Sequence, residues 1–211
     1  MILGAVLAGG KSTRFGSDKA LAELAGESLL IRAVDMLSGW CEKVVVVGRE
    51  EAPAPTLPDR PHPGMGPLGG IAAALYDARD EGYELVLTCG VDSVDLPENL
   101  PELLSPAPAY LADQPVVGLW PVSAIKPLEA ILHGDGRHSM LAFAEAIGAR
   151  AVKHFLVVRV LPFHQVANDV EQALALGQQH VFKPGQRLGR LDADHFGLAQ
   201  VRSEERRVGK E

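Results

Sequence analysis

Two short apolar runs near the N-terminus constrain the fold of this protein more than any other feature. Residues Ile2–Leu7 are apolar, and Lys43–Val47 is a lysine followed by a block of four valines. Such runs are typical of strands that are buried on both faces of a parallel sheet. Between them, Ser28–Leu37 has apolar residues at helical spacing and begins with a serine suited to cap the helix. The order strand, loop, helix, strand predicts a right-handed βαβ unit.

The alternation of strands and helices continues through the sequence. Further strands are predicted at Glu84–Cys89, Val116–Trp120 and Phe155–Leu161, and further helices at Leu68–Asp80, Pro97–Leu104, Ala124–His133, Ser139–Ile147 and Val170–Leu176. This pattern indicates an α/β fold, a single-domain Rossmann-like three-layer sandwich with a mostly parallel, doubly wound sheet. We place the domain at residues 1–201 with its core at 1–177. The polar segment 202–211 breaks every apolar period and is interpreted as an artefactual tail.

The composition argues against several classes of function. The formal net charge of the 211 residues is −7, whereas binding to a nucleic-acid backbone needs a positive field. No apolar run approaches the ~20 residues of a membrane span. The apolar N-terminus also lacks the charged region and cleavage pattern of a signal peptide. The two cysteines lie far apart and form no metal or redox motif. We therefore expect a cytoplasmic protein without nucleic-acid or membrane partners.

The loop after the first strand has the residues that polyphosphate binding requires. From Leu7 to Lys19 it reads LAGGKSTRFGSDK, and its three glycines let backbone N–H groups approach a ligand. Arg14 and Lys19 add cations suited to a triphosphate, and Lys11 offers a third. The loop is not a P-loop, because Ala5 stands where that motif needs a glycine, and its glycines do not fit G-x-G-x-x-G. A structural turn with solvated charges is the alternative, but the position directly after the first strand favours phosphate binding.

The same segment resembles a family signature. L-A-G-G-x-x-x-R-[MF]-G-x-x-K is the N-terminal motif of the molybdenum cofactor guanylyltransferases (MobA), within a wider nucleotidyltransferase superfamily. Gly10 completes an Ala-Gly-Gly turn, whereas cytidylyl and sugar relatives more often have Ala-Ala-Gly, so the resemblance is to the guanylyl branch. It implies a catalytic role for Arg14 and Lys19. It also implies that GTP is bound by one group of loop residues: Leu7, Ala8, Gly9, Gly10 and Lys19.

A second motif begins at an aspartate in the proline-rich stretch. Pro58–Ile71 reads PDRPHPGMGPLGGI and looks like the family's block in which an aspartate precedes G-P-L-A-G-I. The carboxylate of Asp59 is able to accept hydrogen bonds from guanine N1–H and N2–H, a pairing that adenine and cytosine cannot reproduce. The resemblance implies that Asp59 binds GTP. The alternative is a solvated loop carboxylate.

A third motif follows the strand predicted at Glu84–Cys89. The segment Gly90–Pro97, GVDSVDLP, resembles the family's C-D-x-P-x-L-P element, whose aspartate binds Mg²⁺ between the nucleotide phosphates. Mg²⁺ prefers oxygen ligands and often uses one or two carboxylates together with phosphate and water. The resemblance therefore assigns metal binding, GTP binding and catalysis to Asp92, with Asp95 as a weaker candidate. Val94 replaces the motif's first proline, and an ordinary loop aspartate remains the alternative.

The C-terminal part of the sequence matches the family less closely. The family tends to show N-x-N-T-P-E-[ED]-L near its pterin site, and Asn168 and Glu171 are the arguable counterparts here. Asn168 is thus a candidate on the pterin side, although it equally suits the cap of the helix predicted from Val170. The family also has a His-Pro pair near the middle of its sequence, and the corresponding residues here are Gln114 and Pro115.

The resemblance implies an activity. The enzyme would transfer GMP from GTP to molybdopterin with release of pyrophosphate, using Mg²⁺, with transient contacts to proteins that donate or accept the cofactor. Two alternatives stay open. One is a nucleotidyltransferase that uses CTP or another acceptor such as a sugar phosphate, and the other is a non-catalytic carrier that binds GTP or the cofactor.

Overall fold

The computed structural model describes residues 1–9, 20, 22–24, 26–93 and 96–153, all within the compact unit Met1–Glu171. The strands in sequence order are β1 (Ile2–Leu7), β2 (Glu23–Leu24), β3 (Glu27–Ser28), β4 (Lys43–Val47), β5 (Thr56–Leu57), β6 (Leu85–Gly90), β7 (Ala109–Leu111), β8 (Gln114–Pro121) and β9 (Arg150–Val152). The α-helices are α1 (Leu29–Ser38), α2 (Gly66–Asp80), α3 (Leu100–Leu103), α4 (Ile125–Leu132) and α5 (Met140–Ala146). The strand and helix predicted at 155–161 and 170–176 lie outside the described residues.

The main sheet has seven strands in the order β5-β4-β1-β6-β8-β7-β9, and β2 pairs with β3 in a separate hairpin. The strands β5, β4, β1 and β6 are mutually parallel, and β8 is antiparallel to both of its neighbours. The order runs outward from β1 in both directions, with β4 on one side and β6 on the other. This confirms the predicted α/β fold with a mostly parallel, doubly wound sheet.

Helices cover both faces of the sheet and divide the core into two layers. Successive side chains of a strand point to opposite faces. Along β1, Val6 therefore packs with the core that contains α1, whereas Leu3 and Ala5 pack with the core that contains α2, α4 and α5. All three side chains are fully buried. The resulting arrangement is the predicted three-layer sandwich.

The two helices that follow the first strands form for different local reasons. Ser28 caps α1, because its Oγ accepts a hydrogen bond from the backbone N–H of Ile31 at 3.3 Å. This confirms the predicted cap, a contact that typically stabilises a helix by about 1 kcal/mol. The helix α2 instead begins with Gly66 and Pro67 and is rich in glycine and alanine on the side that is buried. Its small side chains allow a close approach to the sheet.

The structure differs from the sequence prediction in several elements. The helix expected from Pro97 is only the four residues Leu100–Leu103, with Pro101 in its first turn. The short strands β5, β7 and β9 have two or three residues each, too few to show a period in the sequence. Among the residues that the structure describes, every helix is too short or too polar to cross a membrane.

Candidate active site

The carboxyl ends of β1, β4, β5 and β6 meet at one edge of the sheet, because these strands are parallel and adjacent. Ligands of open α/β sheets bind beyond this edge. A cavity of ≈ 200 Å³ lies there. It is lined by residues from the ends of these strands, the start of α2 and the start of β8: Leu7, Gly9, Val47, Asp59, Gly66, Pro67, Gly70, Gly90, Asp92 and Val116.

The end of β1 and the end of β4 pack backbone against backbone. The N–H of Ala8 donates to the carbonyl of Val47 at 2.9 Å. A Cβ added to Gly48 would lie 2.4 Å from the Cα of Gly9, and Gly48 has a φ of +86°. Gly48 therefore requires glycine both for its conformation and for the close approach, and a Cβ on Gly9 would lie a tight 3.2 Å from the Cα of Gly48. This contact leaves the floor of the cavity without side chains at these two positions.

Asp59 reaches this floor from the loop after β5. Its carboxylate accepts a hydrogen bond from the backbone N–H of Gly64 at 3.4 Å. A Cβ added to Gly9 would lie 3.6 Å from Asp59 Oδ2, and one added to Gly70 would lie 3.8 Å from Asp59 Oδ1. The half-buried carboxylate thus stands over two glycines, one at the end of β1 and one in the first turns of α2.

The start of α2 forms the adjacent wall of the cavity. Gly66 and Pro67 open this helix of 15 residues, and within the described part of the protein no side chain caps it. A helix start carries N–H groups without intrahelical partners and a partial positive charge, both of which favour an anion. A Cβ on Gly69 would lie 2.7 Å from the Cβ of Met65, and one on Gly70 would lie 2.9 Å from Leu7 Cδ2. Gly70 therefore allows the helix start to approach Leu7 at the sheet edge, whereas Gly69 allows it to approach Met65 and the loop of Asp59 and Arg60.

Asp92 lies on the other side of the cavity, in the turn after β6. The turn is closed by two hydrogen bonds of 3.1 Å, from Ser93 N–H to the Gly90 carbonyl and from Gly90 N–H to Ser93 Oγ. A Cβ added to Gly90 would lie 2.9 Å from Asp92 Oδ1, so the carboxylate folds back over that glycine. It is half-buried and faces the cavity beside Val116 of β8.

The structure thus brings together four of the residues singled out from the sequence. Leu7, Gly9, Asp59 and Asp92 line one cavity, whereas the buried Ala8 supports its floor through the hydrogen bond to β4. The remaining candidates lie outside the described residues: Gly10, Lys11, Arg14, Lys19, Asp95, Asn168 and Glu171.

Several residues of the cavity region were not predicted as part of the site, among them Gly48 and Val116. Gly48, which packs on Gly9, had a detectable signal, since it is a glycine directly after a predicted strand. Val116 belongs to the antiparallel strand β8, and the sequence does not reveal that this strand starts at the carboxyl edge.

Among the described residues, Asp92 is a candidate ligand for a metal ion at this cavity. Within residues 1–9, 20, 22–24, 26–93 and 96–153, no group of three or more His, Cys, Asp or Glu side chains is placed to hold one. A single aspartate such as Asp92 nevertheless suits Mg²⁺, which commonly takes one or two carboxylates and completes its octahedron with phosphate and water. The residues present therefore fit a nucleotide-bound Mg²⁺.

Comparison with known proteins agrees with this geometry. Residues 4–160 match the family model described as the MobA-like NTP transferase domain. The chain belongs to the MobA-like NTP transferase family. As a member of this family it is a nucleotidyltransferase, which confirms the enzyme class predicted from the glycine-rich loop.

Individual relatives support the family assignment. A molybdenum cofactor guanylyltransferase from Acidiphilium cryptum is 38% identical over 159 residues, covering 70% of this protein and 81% of the relative. One from Rhodobacter capsulatus is 36% identical over 147 residues, covering 64% and 77%. The crystal structure of molybdopterin-guanine dinucleotide biosynthesis protein A from Archaeoglobus fulgidus has a TM-score of 0.55 at 21% identity, covering 82% of this protein and 89% of that one. The last comparison shows the shared fold.

Proposed function

We propose that this MobA-like nucleotidyltransferase transfers GMP from GTP to the terminal phosphate of molybdopterin and releases pyrophosphate in a Mg²⁺-dependent reaction. One observation carries the proposal: Asp59 and Asp92, singled out from separate motifs, line the same cavity. The acceptor is proposed from the relatives at 38% and 36% identity, since both are named molybdenum cofactor guanylyltransferase.

Asp59 is the residue proposed to select guanine. A carboxylate offers two acceptor oxygens, which match the adjacent N1–H and N2–H donors of guanine. The hydrogen bond from Gly64 N–H holds this carboxylate from the loop side. Gly9 and Gly70 present no side chain next to it, so a flat base has room to approach.

The triphosphate is proposed to lie between the start of α2 and Asp92. The free N–H groups of the helix start favour the negative charge. Arg14 and Lys19 are proposed to neutralise the phosphate oxygens, with Arg14 acting as a planar fork and Lys19 as a point charge. Asp92 would hold Mg²⁺, which when bound supplies charge neutralisation between the phosphates.

The transfer itself needs alignment more than proton chemistry. An oxygen of the acceptor's terminal phosphate attacks the α-phosphorus of GTP, and the bond from that phosphorus to the oxygen bridging to the β-phosphate breaks. Pyrophosphate leaves, and GMP becomes joined to the acceptor. The attacking oxygen is already anionic, so no general base is required. Catalysis then rests on positioning and on electrostatic stabilisation of two polyanions that approach each other.

The proposal is tested by measuring pyrophosphate release with GTP, molybdopterin and Mg²⁺. Asp92→Asn is expected to lower kcat/KM at least about tenfold, because one anionic metal ligand is lost. Asp80→Asn is the matched control, since it makes the same chemical change at the far end of α2, roughly 20 Å from the helix start. Pyrophosphate release that needs neither GTP nor the acceptor, or an Asp92→Asn variant as active as Asp80→Asn, contradicts the proposal.

A further inference from the structure

The loop that carries Asp59 is attached to α2 at two points. The backbone N–H of Arg60 donates to the carbonyl of Gly69 at 3.1 Å. The guanidinium of Arg60 lies over the ring of Tyr76, with Cζ 4.2 Å from the ring centroid. A guanidinium in this position is attracted to the ring by a cation–π interaction. The residue next to Asp59 is therefore fixed through both its backbone and its side chain.

The ring of Tyr76 is itself held by a second helix. Its hydroxyl donates a hydrogen bond to the carboxylate of Glu129 in α4. This hydrogen bond, followed by partial burial, raises the pKa of Tyr76, so the phenol stays neutral across the physiological range. Since Glu129 fixes one end of the ring, Tyr76 provides a rigid platform for Arg60.

The two arginines over this ring differ in what they connect. Arg79 also lies over the ring, with Cζ 4.5 Å from the centroid, but it pairs with its neighbour Asp80 at 2.7 Å on an exposed surface. Arg60 is exposed, and across the residues that the structure describes it makes no ion pair that would compete with the ring. Arg60 therefore connects the platform to the loop of Asp59, and Arg79 does not.

We infer that Arg60 is a positioning residue for base selection, which holds the Asp59 carboxylate at the guanine edge through the platform of Tyr76 and Glu129. The inference rests on the proposed function, because it assigns the base contact to Asp59. On this inference, three residues contribute to base specificity without needing to touch the nucleotide: Arg60, Tyr76 and Glu129.

The test compares Arg60→Ala with Arg79→Ala, which removes a cation from the same ring without touching the loop. Two quantities are measured on the full-length protein. The first is hydrogen exchange of the loop amides at 58–65 without nucleotide, where Arg60 and Gly64 donate the hydrogen bonds described above. The second is the ratio of kcat/KM for GTP to that for inosine triphosphate, which lacks the N2 amino group. Arg60→Ala is expected to speed exchange and lower the ratio, each about two- to fivefold, and Arg60→Lys to restore part of both.

Coupling to the platform is tested by combining substitutions. If Arg60 acts through the ring, Arg60→Ala has no further effect once Tyr76→Leu is present. The inference is overturned if Arg60→Ala has the same amide exchange rates and the same ratio of kcat/KM as the wild type, or if Arg79→Ala has equal effects. It is also overturned if the effects of Arg60→Ala and Tyr76→Leu are fully additive. A wild-type enzyme that does not prefer GTP over inosine triphosphate instead counts against the proposed base contact, and the exchange rates then decide separately whether Arg60 holds the loop.

Discussion

Substitution of Gly48 by alanine probes the backbone contact beneath the cavity. The added Cβ would lie 2.4 Å from the Cα of Gly9 and 2.8 Å from its N, distances at which atoms must move. Both neighbours are backbone atoms, so no flexible side chain can rotate away. Gly48 also has a φ of +86°, which alanine adopts only under strain.

Two terms set the magnitude. The left-handed backbone costs roughly 1–2 kcal/mol for a residue with a Cβ, and overpacking in a closely packed region costs about 1–3 kcal/mol. Gly48→Ala should therefore lower the free energy of unfolding by about 2–5 kcal/mol. Gly82→Ala is the matched control, because Gly82 has a φ of +81° and a Cβ there would meet nothing within 4 Å. It carries the conformational term alone and should cost about 1–2 kcal/mol.

Urea unfolding of the two variants and the wild type measures both terms. The difference between the variants isolates the collision with Gly9, and the m-value checks that the transition remains comparable. Gly48→Ala should also displace the backbone at the floor of the cavity and thereby weaken GTP binding, whereas Gly82→Ala should leave GTP binding unchanged. Equal destabilisation by the two substitutions, with GTP binding unchanged in both, would refute the account of the floor.

Two further predictions concern buried groups. Thr88 Oγ1 accepts from Trp120 Nε1 at 2.9 Å and donates to the Val116 carbonyl at 2.6 Å, so Thr88→Val should cost about 1–3 kcal/mol in urea unfolding. Thr88→Ser keeps the hydroxyl, and a cost as large as that of Thr88→Val would contradict the role of these hydrogen bonds. Burial, more than the nearby Glu42, raises the pKa of the Cys41 thiol to about 12, and burial raises the pKa of Cys89 further. Cys89 is fully buried and should not react with a disulfide reagent at pH 8 until urea unfolds the protein, whereas the half-buried Cys41 should react more slowly than a free thiol because its pKa is raised. The stability that the two thiols contribute is present below about pH 9 and is lost as pH rises toward 12.

Local signals in the sequence were sufficient for the first βαβ unit. The predicted bounds of β1 and β4 agree with the structure, because their side chains are buried on both faces and leave an uninterrupted apolar run. The cap of α1 was predictable for a similar reason, since Ser28 acts on a backbone N–H only three residues away.

Contacts between distant segments could not be derived in this way. The direction of β8 depends on the path of the backbone between β6 and β8, so the place of Val116 in the cavity was missed. The approach of Gly48 to Gly9 depends on the pairing of β1 with β4. In the sequence, the glycine at position 48 is the only sign of this contact. Asp59 and Asp92 were found through a resemblance to family motifs, and the structure adds that they line one cavity.

The choice of base by Asp59 is the central claim, and calorimetric titration with GTP, CTP, ATP and UTP in the presence of Mg²⁺ tests it most directly. The account predicts that the wild type binds GTP at least about tenfold more tightly than the other three, since each hydrogen bond to a charged group contributes about 1.5–3 kcal/mol. Asp59→Asn should lose most of this preference, whereas Asp80→Asn should retain it. A wild type that binds CTP as tightly as GTP, or an Asp59→Asn variant with undiminished preference for GTP, would contradict it.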